Sequence, residues 1–206
     1  MKDKTWFPIV YMFAATFFFS SILITLSYFT KDKVEANQRI ALEKAILQSL
    51  GLNTSLKMPT AQIHKMYTDK IRPPTKNTAG AYIYIENNNV AGYALPIEGR
   101  GFWDKIKGVI GMRPDMKTIT GISFYEQNET PGLGAEIAQL PFRKQFENKK
   151  IAMDGQPFDI KPPGSDLTEN SVHAVTGATQ TSRRLEKIIN EHLSQWRDKI
   201  FAGDTR

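Results

Sequence analysis

The sequence predicts an α+β fold: a single N-terminal transmembrane helix followed by one α+β domain. Three observations point to it. No charged residue occurs from Thr5 to Thr30. From Gly80 the apolar residues recur with a period of two. Near the C-terminus, Leu185, Ile188, Ile189, Leu193 and Trp196 draw one apolar helical face. The 206 residues suit one ordinary domain plus an extra element. With 41% hydrophobic and 23% charged residues, a packed core is expected and global disorder is not.

Residues 1–4 form a short tail carrying Lys2 and Lys4, and residues 5–30 form the membrane helix. About 24 residues rising 1.5 Å each reach roughly 36 Å, beyond the ~30 Å hydrocarbon core of a bilayer. Trp6 and Tyr28 stand near the two ends, where aromatic belts belong. The run is too long for a typical signal-peptide core, and no small-residue cleavage site follows it. A retained anchor is the expectation, with the short basic tail inside and the large domain outside.

Residues 31–51 read as a connector helix. Ile40, Lys44, Leu47 and Leu50 fall at helical spacing, Ile46 is close by, and Gly51 provides a stop. Residues 52–206 form the domain. It opens with a short helix and the Pro-rich turn RPPTKNT, both between Thr60 and Thr78. GAYIYIENNNVAGYALPIEGRG follows as a hairpin turning at Asn87–Asn89, and KTITGISFYEQ (117–127) is a further strand. AEIAQLPFRKQFENK is a helix interrupted near Pro141, QPFDIKPPG is extended, and NSVHAV is a strand leading into VTGATQTSRR.

Several chemistries are excluded. The net charge of +6 is scattered, with no long Lys/Arg run, so nucleic-acid binding is not expected. With no cysteine, the chain offers no disulfide, thiol catalyst or cysteine-ligated metal. His64, His173 and His192 form no metal-binding pair, and no metal site is expected.

Two loops remain as carriers of chemistry. In ETPGLGAEI, Pro131 fixes its own φ, while Gly132 and Gly134 allow close backbone approach. Taken alone it is a strand-to-helix connection, and it lacks the third glycine of a dinucleotide fingerprint. In VTGATQTSRR, Thr176, Thr179, Thr181 and Ser182 place four hydroxyls around a nearly bare Gly177–Ala178. This stretch is no P-loop, and no base is spaced to activate a nucleophile. Hydroxyls at such a junction commonly cap a helix. Alternatively, helix N-terminal amides together with Arg183 and Arg184 favour a phosphate, which can be carried covalently on a hydroxyl.

TGATQT resembles the flavin-attachment motif of the FMN-binding domain family: Ser or Thr, then Gly-Ala-Thr, one free position, and Thr or Ser. That family includes the NqrC component of the Na+-translocating NADH:quinone oxidoreductase and its counterpart in the related Rnf complex. ETPGLG matches the family's second flavin-side loop, and GRGFW, FYEQNETPGLGAEI and AILQSLGL look more like the quinone-reductase component.

The resemblance implies one FMN per chain, joined through its phosphate to the hydroxyl of Thr181. It implies further flavin contacts from Thr176, Gly177, Ala178 and Thr179, and from Glu129, Thr130, Gly132, Leu133 and Gly134. The flavin, rather than any catalytic side chain, then supplies the redox chemistry. Trp103 and Phe124 are aromatic neighbours expected mainly to pack in the core. The resemblance also implies a single-pass protein of the bacterial inner membrane with its domain on the periplasmic side. A flavin transferase acts during maturation, and the other membrane subunits are partners. The alternatives are the Rnf counterpart, a tethered flavin-binding module without turnover, and a structural subunit. One departure bears on the last: His173 stands where the family usually has Asp.

Overall fold

A computed structural model describes residues 6–52, 54 and 58–201. The tail 1–4, Thr5 and residues 202–206 lie outside the described residues. The fold is one long apolar N-terminal helix followed by a mixed α+β domain.

Helix α1, Phe7–Ser49, is continuous where the sequence suggests two helices, 5–30 and 31–51. No Gly or Pro occurs between residues 31 and 49, so nothing in the sequence breaks the hydrogen-bond ladder there. Residues 1–39 form one compact unit and residues 40–206 a second. In the first, Ile9, Phe13, Phe17, Leu23 and Phe29 are all exposed. Its helix contains a stretch long and apolar enough to cross a membrane.

The second unit begins inside the expected connector, at Ile40 rather than near residue 52. Ala45, Ile46 and Leu47 are buried against Ile63, Ile71, Tyr84, Ala94 and Val109. The helix then ends in a Schellman turn. Gly51 takes φ +74°, its N–H bonds the Gln48 carbonyl, and the Leu52 N–H bonds that of Leu47. Helix α2, Thr60–Lys70, packs on the same core through Ile63.

The sheet is antiparallel with its strands in sequence order: β1 Ile71–Arg72, β2 Tyr82–Glu86, β3 Asn89–Arg100, β4 Lys105–Met112 and β5 Ile119–Glu126. Asn87 and Asn88 both adopt positive φ between β2 and β3, the two-residue turn that suits the right-handed strand twist. Neighbouring strand residues face opposite layers. Ala94 and Val109 meet the end of α1, whereas Leu95 and Ile110 meet the C-terminal helix. Strand β4 has no counterpart among the sequence expectations, because from Gly108 on both its faces are covered and no polar alternation marks it.

Beyond β5 come a 3₁₀ turn at Gly134–Ala138 and helix α3, Leu140–Lys144, with Pro141 in its first turn. Strands β6, Asp159–Lys161, and β7, Ser171–His173, pair in parallel. Helix α4, Thr179–Phe201, closes the second face of the sheet. It buries Leu185, Ile188, Ile189, Leu193 and Trp196, as its spacing predicts. Trp196 also donates its indole N–H to the Thr78 carbonyl at 3.0 Å.

Candidate functional site

Three connections meet at one end of the sheet: the β3–β4 turn, the loop after β5, and the β7–α4 junction. The turn is built by Gly101, whose N–H bonds the Asp104 carbonyl at 2.7 Å. Asp104 in turn accepts from Asn128 Nδ2 and from the Lys105 N–H, and these bonds hold its carboxyl below the ordinary range. The turn thereby aims the Phe102 and Trp103 amides inward.

Both amides donate to Glu129 Oε1, at 2.8 and 3.1 Å. The other oxygen, Glu129 Oε2, accepts the Thr181 hydroxyl at 2.6 Å. Glu129 and Thr181 are each only 4% exposed. Close approach is possible because both neighbours are glycines. A Cβ on Gly134 would stand 2.5 Å from Thr181 Oγ1, and one on Gly101 would collide with Glu129 Oε1.

Above this contact lies a pocket of about 290 Å³, near the lower end of small-molecule sites. Thr130, Leu133 and Gly134 line one side, Gly177, Ala178, Thr179 and Thr181 the other. Phe102 and Gln180 complete it; neither is among the residues singled out from the sequence. A glycine-flanked aromatic in GRGFW was the available signal for Phe102. Gln180 occupies the free position of its motif, which carries no signal.

The remaining candidates fall elsewhere. Gly132 shapes the loop with φ +72°, and Thr176 is exposed at the turn before the pocket. Arg183 and Arg184 are exposed on α4 and do not line the pocket, so they give no contact for a phosphate there. Trp103 is 64% exposed, against the expectation of core packing, and its indole N–H bonds Thr130 Oγ1 at 3.0 Å. Phe124 does pack on the core. His173 is engaged at β7, its Nε2 2.9 Å from the Ser165 carbonyl and its N–H on Gln145.

The hydroxyls do not sit on a free loop ahead of the helix. Thr179, Thr181 and Ser182 belong to the first turn of α4, and Thr181 is buried rather than an exposed cap. Ser182 instead ties the preceding loop to the helix, its Oγ accepting the Val175 N–H. The first intrahelical bond is the one Ser182 N–H donates to the Ala178 carbonyl. The amides of Thr179, Gln180 and Thr181 therefore precede the hydrogen-bond ladder and favour negative charge.

This donor set fits a flavin phosphate. The helix-start amides and a hydroxyl would meet the phosphate, and apolar Leu133 and Phe102 would offer surface for a flat ring.

The model of the FMN-binding domain family matches residues 101–194, which hold all three connections. The NqrC component of the Na(+)-translocating NADH-quinone reductase of Vibrio anguillarum is 34% identical over 136 residues, 63% of this chain and 52% of the relative. That of Neisseria meningitidis serogroup A is 37% identical over 120 residues, 56% of this chain and 46% of the relative. The chain spans about half the length of the curated relatives it matches. Among solved structures, the same reductase component from Parabacteroides distasonis superimposes with a TM-score of 0.70 at 22% identity, covering 82% of this chain and 96% of that one. NqrC of Shewanella oneidensis gives 0.69 at 18%, covering 81% and 99%. Residues 101–194 thus match the FMN-binding domain family, and the chain shares the fold of these two solved structures.

Proposed function

We propose that the chain is a membrane-anchored flavoprotein subunit that relays electrons in a Na+-translocating NADH:quinone oxidoreductase. Its FMN, one per chain, is bound covalently through phosphate to Thr181. The observation that carries this reading is the Thr181 hydroxyl itself, held by Glu129 at the wall of a pocket made by both motif loops. FMN supplies the redox chemistry when bound. The protein's part is placement. The first amides of α4 would bind the phosphate, Leu133 and Phe102 would shield the ring from water, and Thr130 would offer a polar contact.

The apolar stretch of α1 anchors the chain in the bacterial inner membrane, with the domain on the periplasmic side. Other membrane subunits of the complex deliver and accept the electrons, and a flavin transferase attaches the flavin during maturation. The curated relatives, components of such a reductase, support this assignment.

Intact-mass measurement of the full chain, co-expressed with a flavin transferase, tests the reading. The expected gain is the mass of FMN less one water, lost in Thr181→Ala. That variant gives up one buried hydrogen bond, about 1–2 kcal/mol, and should still fold. An unmodified wild-type chain would sink the proposal, and covalent flavin retained in Thr181→Ala would move it to another hydroxyl.

A further inference from the structure

The Glu129–Thr181 contact carries more than placement. Four hydroxyls crowd the β7–α4 junction, yet only the Thr181 hydroxyl donates to a buried carboxylate. Glu129 cannot turn away easily, because two backbone amides fix its other oxygen. Pointing the Thr181 hydroxyl proton at Oε2 leaves the oxygen lone pairs for the pocket side. The residue that selects the hydroxyl is therefore also the nearest base to it.

We propose that Glu129 is the positioning residue and proton acceptor for flavin attachment, which rests on the reading of Thr181 as the acceptor. Thr181 Oγ1 bonds the phosphorus of a flavin phosphate activated as a phosphoanhydride. The anhydride P–O bond breaks, and its electron pair leaves with the departing nucleotide phosphate. The hydroxyl proton passes to Glu129 Oε2. No atom changes oxidation state. The esterified oxygen can no longer donate to Oε2, so the Glu129–Thr181 hydrogen bond is lost once attachment is complete.

Glu129→Gln separates this role from simple support. The amide keeps one acceptor oxygen for Phe102 and Trp103 but turns an NH2 donor on Thr181. The hydrogen bond reverses and occupies the attacking lone pair. The test uses the purified full chain in detergent, a flavin transferase, and flavin adenine dinucleotide as donor.

Covalent flavin is followed by intact mass and in-gel fluorescence against chain concentration. The Gln variant should melt near the wild type and show an unchanged half-saturating concentration. Its maximal attachment rate should fall on the order of 100-fold. Glu129→Asp, with its carboxylate drawn back by one methylene, should lie between. Attachment at the wild-type rate in Glu129→Gln overturns the inference while leaving the flavoprotein assignment standing. No flavin on the wild type removes both. If the Gln variant does not fold, the Asp variant decides: slowed attachment supports the role, and an unchanged rate overturns it.

Discussion

The Ser49 carbonyl, the last of helix α1, accepts the Thr120 hydroxyl of β5 at 2.7 Å. The helix end thus reaches the sheet backbone directly. It does so over two glycines, and a Cβ on either would meet Ser49. At Gly121 that Cβ would lie 3.1 Å from the Ser49 carbonyl oxygen; at Gly111 it would overlap the Ser49 carbonyl. Neighbouring Gln48 adds a second tie, its Oε1 accepting from Ser123 Oγ and from Arg143.

Gly111→Ala should therefore destabilise the domain more than Gly121→Ala. Backbone faces backbone at Gly111 and no flexible side chain can yield. Overpacking of this kind costs about 1–3 kcal/mol, and Gly121→Ala should fall at or below the lower end. Chemical denaturation of the two variants checks the order. Equal midpoints would mean that α1 shifts freely on the sheet.

Tyr84 provides a pH test of the same layer. Burial and the neighbouring Glu86 raise its phenol to about 12. The folded protein then holds this proton more tightly than the unfolded chain, whose tyrosines titrate near ~10. The stabilisation is complete below about pH 10 and is lost as pH climbs toward 12. Burial also raises Tyr82 and Tyr125, so absorbance titration at alkaline pH should show several late tyrosines, of which the component near 12 is absent in Tyr84→Phe. The wild type should lose stability across that window faster than the variant.

Much of this architecture is legible in the sequence because one face of each element is wet. The α4 stripe from Leu185 to Trp196 and the Asn87–Asn89 turn stand where periodicity and turn chemistry predict them. Strand β4 is not legible, since after a brief alternation over Lys105–Lys107 its residues from Gly108 on are covered on both sides and show no polar phase. At the site, the two motif loops announce themselves by composition. The carboxylate bond between them spans 52 positions and leaves no local trace. Arg183 and Arg184 illustrate the converse. Adjacency in sequence suggests a phosphate clamp, but a helix turns about 100° per residue and carries both outward.

Trp103 should matter to the flavin and little to the fold. Its side chain is 64% exposed and tied only at its edge, by Thr130 and by ring contact with Phe102. Trp103→Ala should change stability by about 0.5 kcal/mol or less, as is usual for an exposed side chain. Attached flavin should become more accessible, read as stronger quenching of its fluorescence by iodide. An unchanged quenching constant would put the ring out of reach of Trp103.

Gly177 and Gly132 share a backbone conformation and differ in surroundings. Their φ values are +77° and +72°, so alanine at either is held in the left-handed region at about 1–2 kcal/mol. A Cβ on Gly132 meets nothing within 4 Å, whereas one on Gly177 would stand 3.0 Å from Leu133 Cδ2. Both alanine variants should therefore lose similar stability in thermal melts. Only Gly177→Ala should crowd the Leu133 side chain, shifting it by a few tenths of an ångström, and weaken retention of noncovalent FMN in the Thr181→Ala background. If Gly132→Ala weakens it as much, backbone strain and not the Leu133 contact sets the pocket's shape. If neither does, Leu133 has room to move aside at no expense to binding.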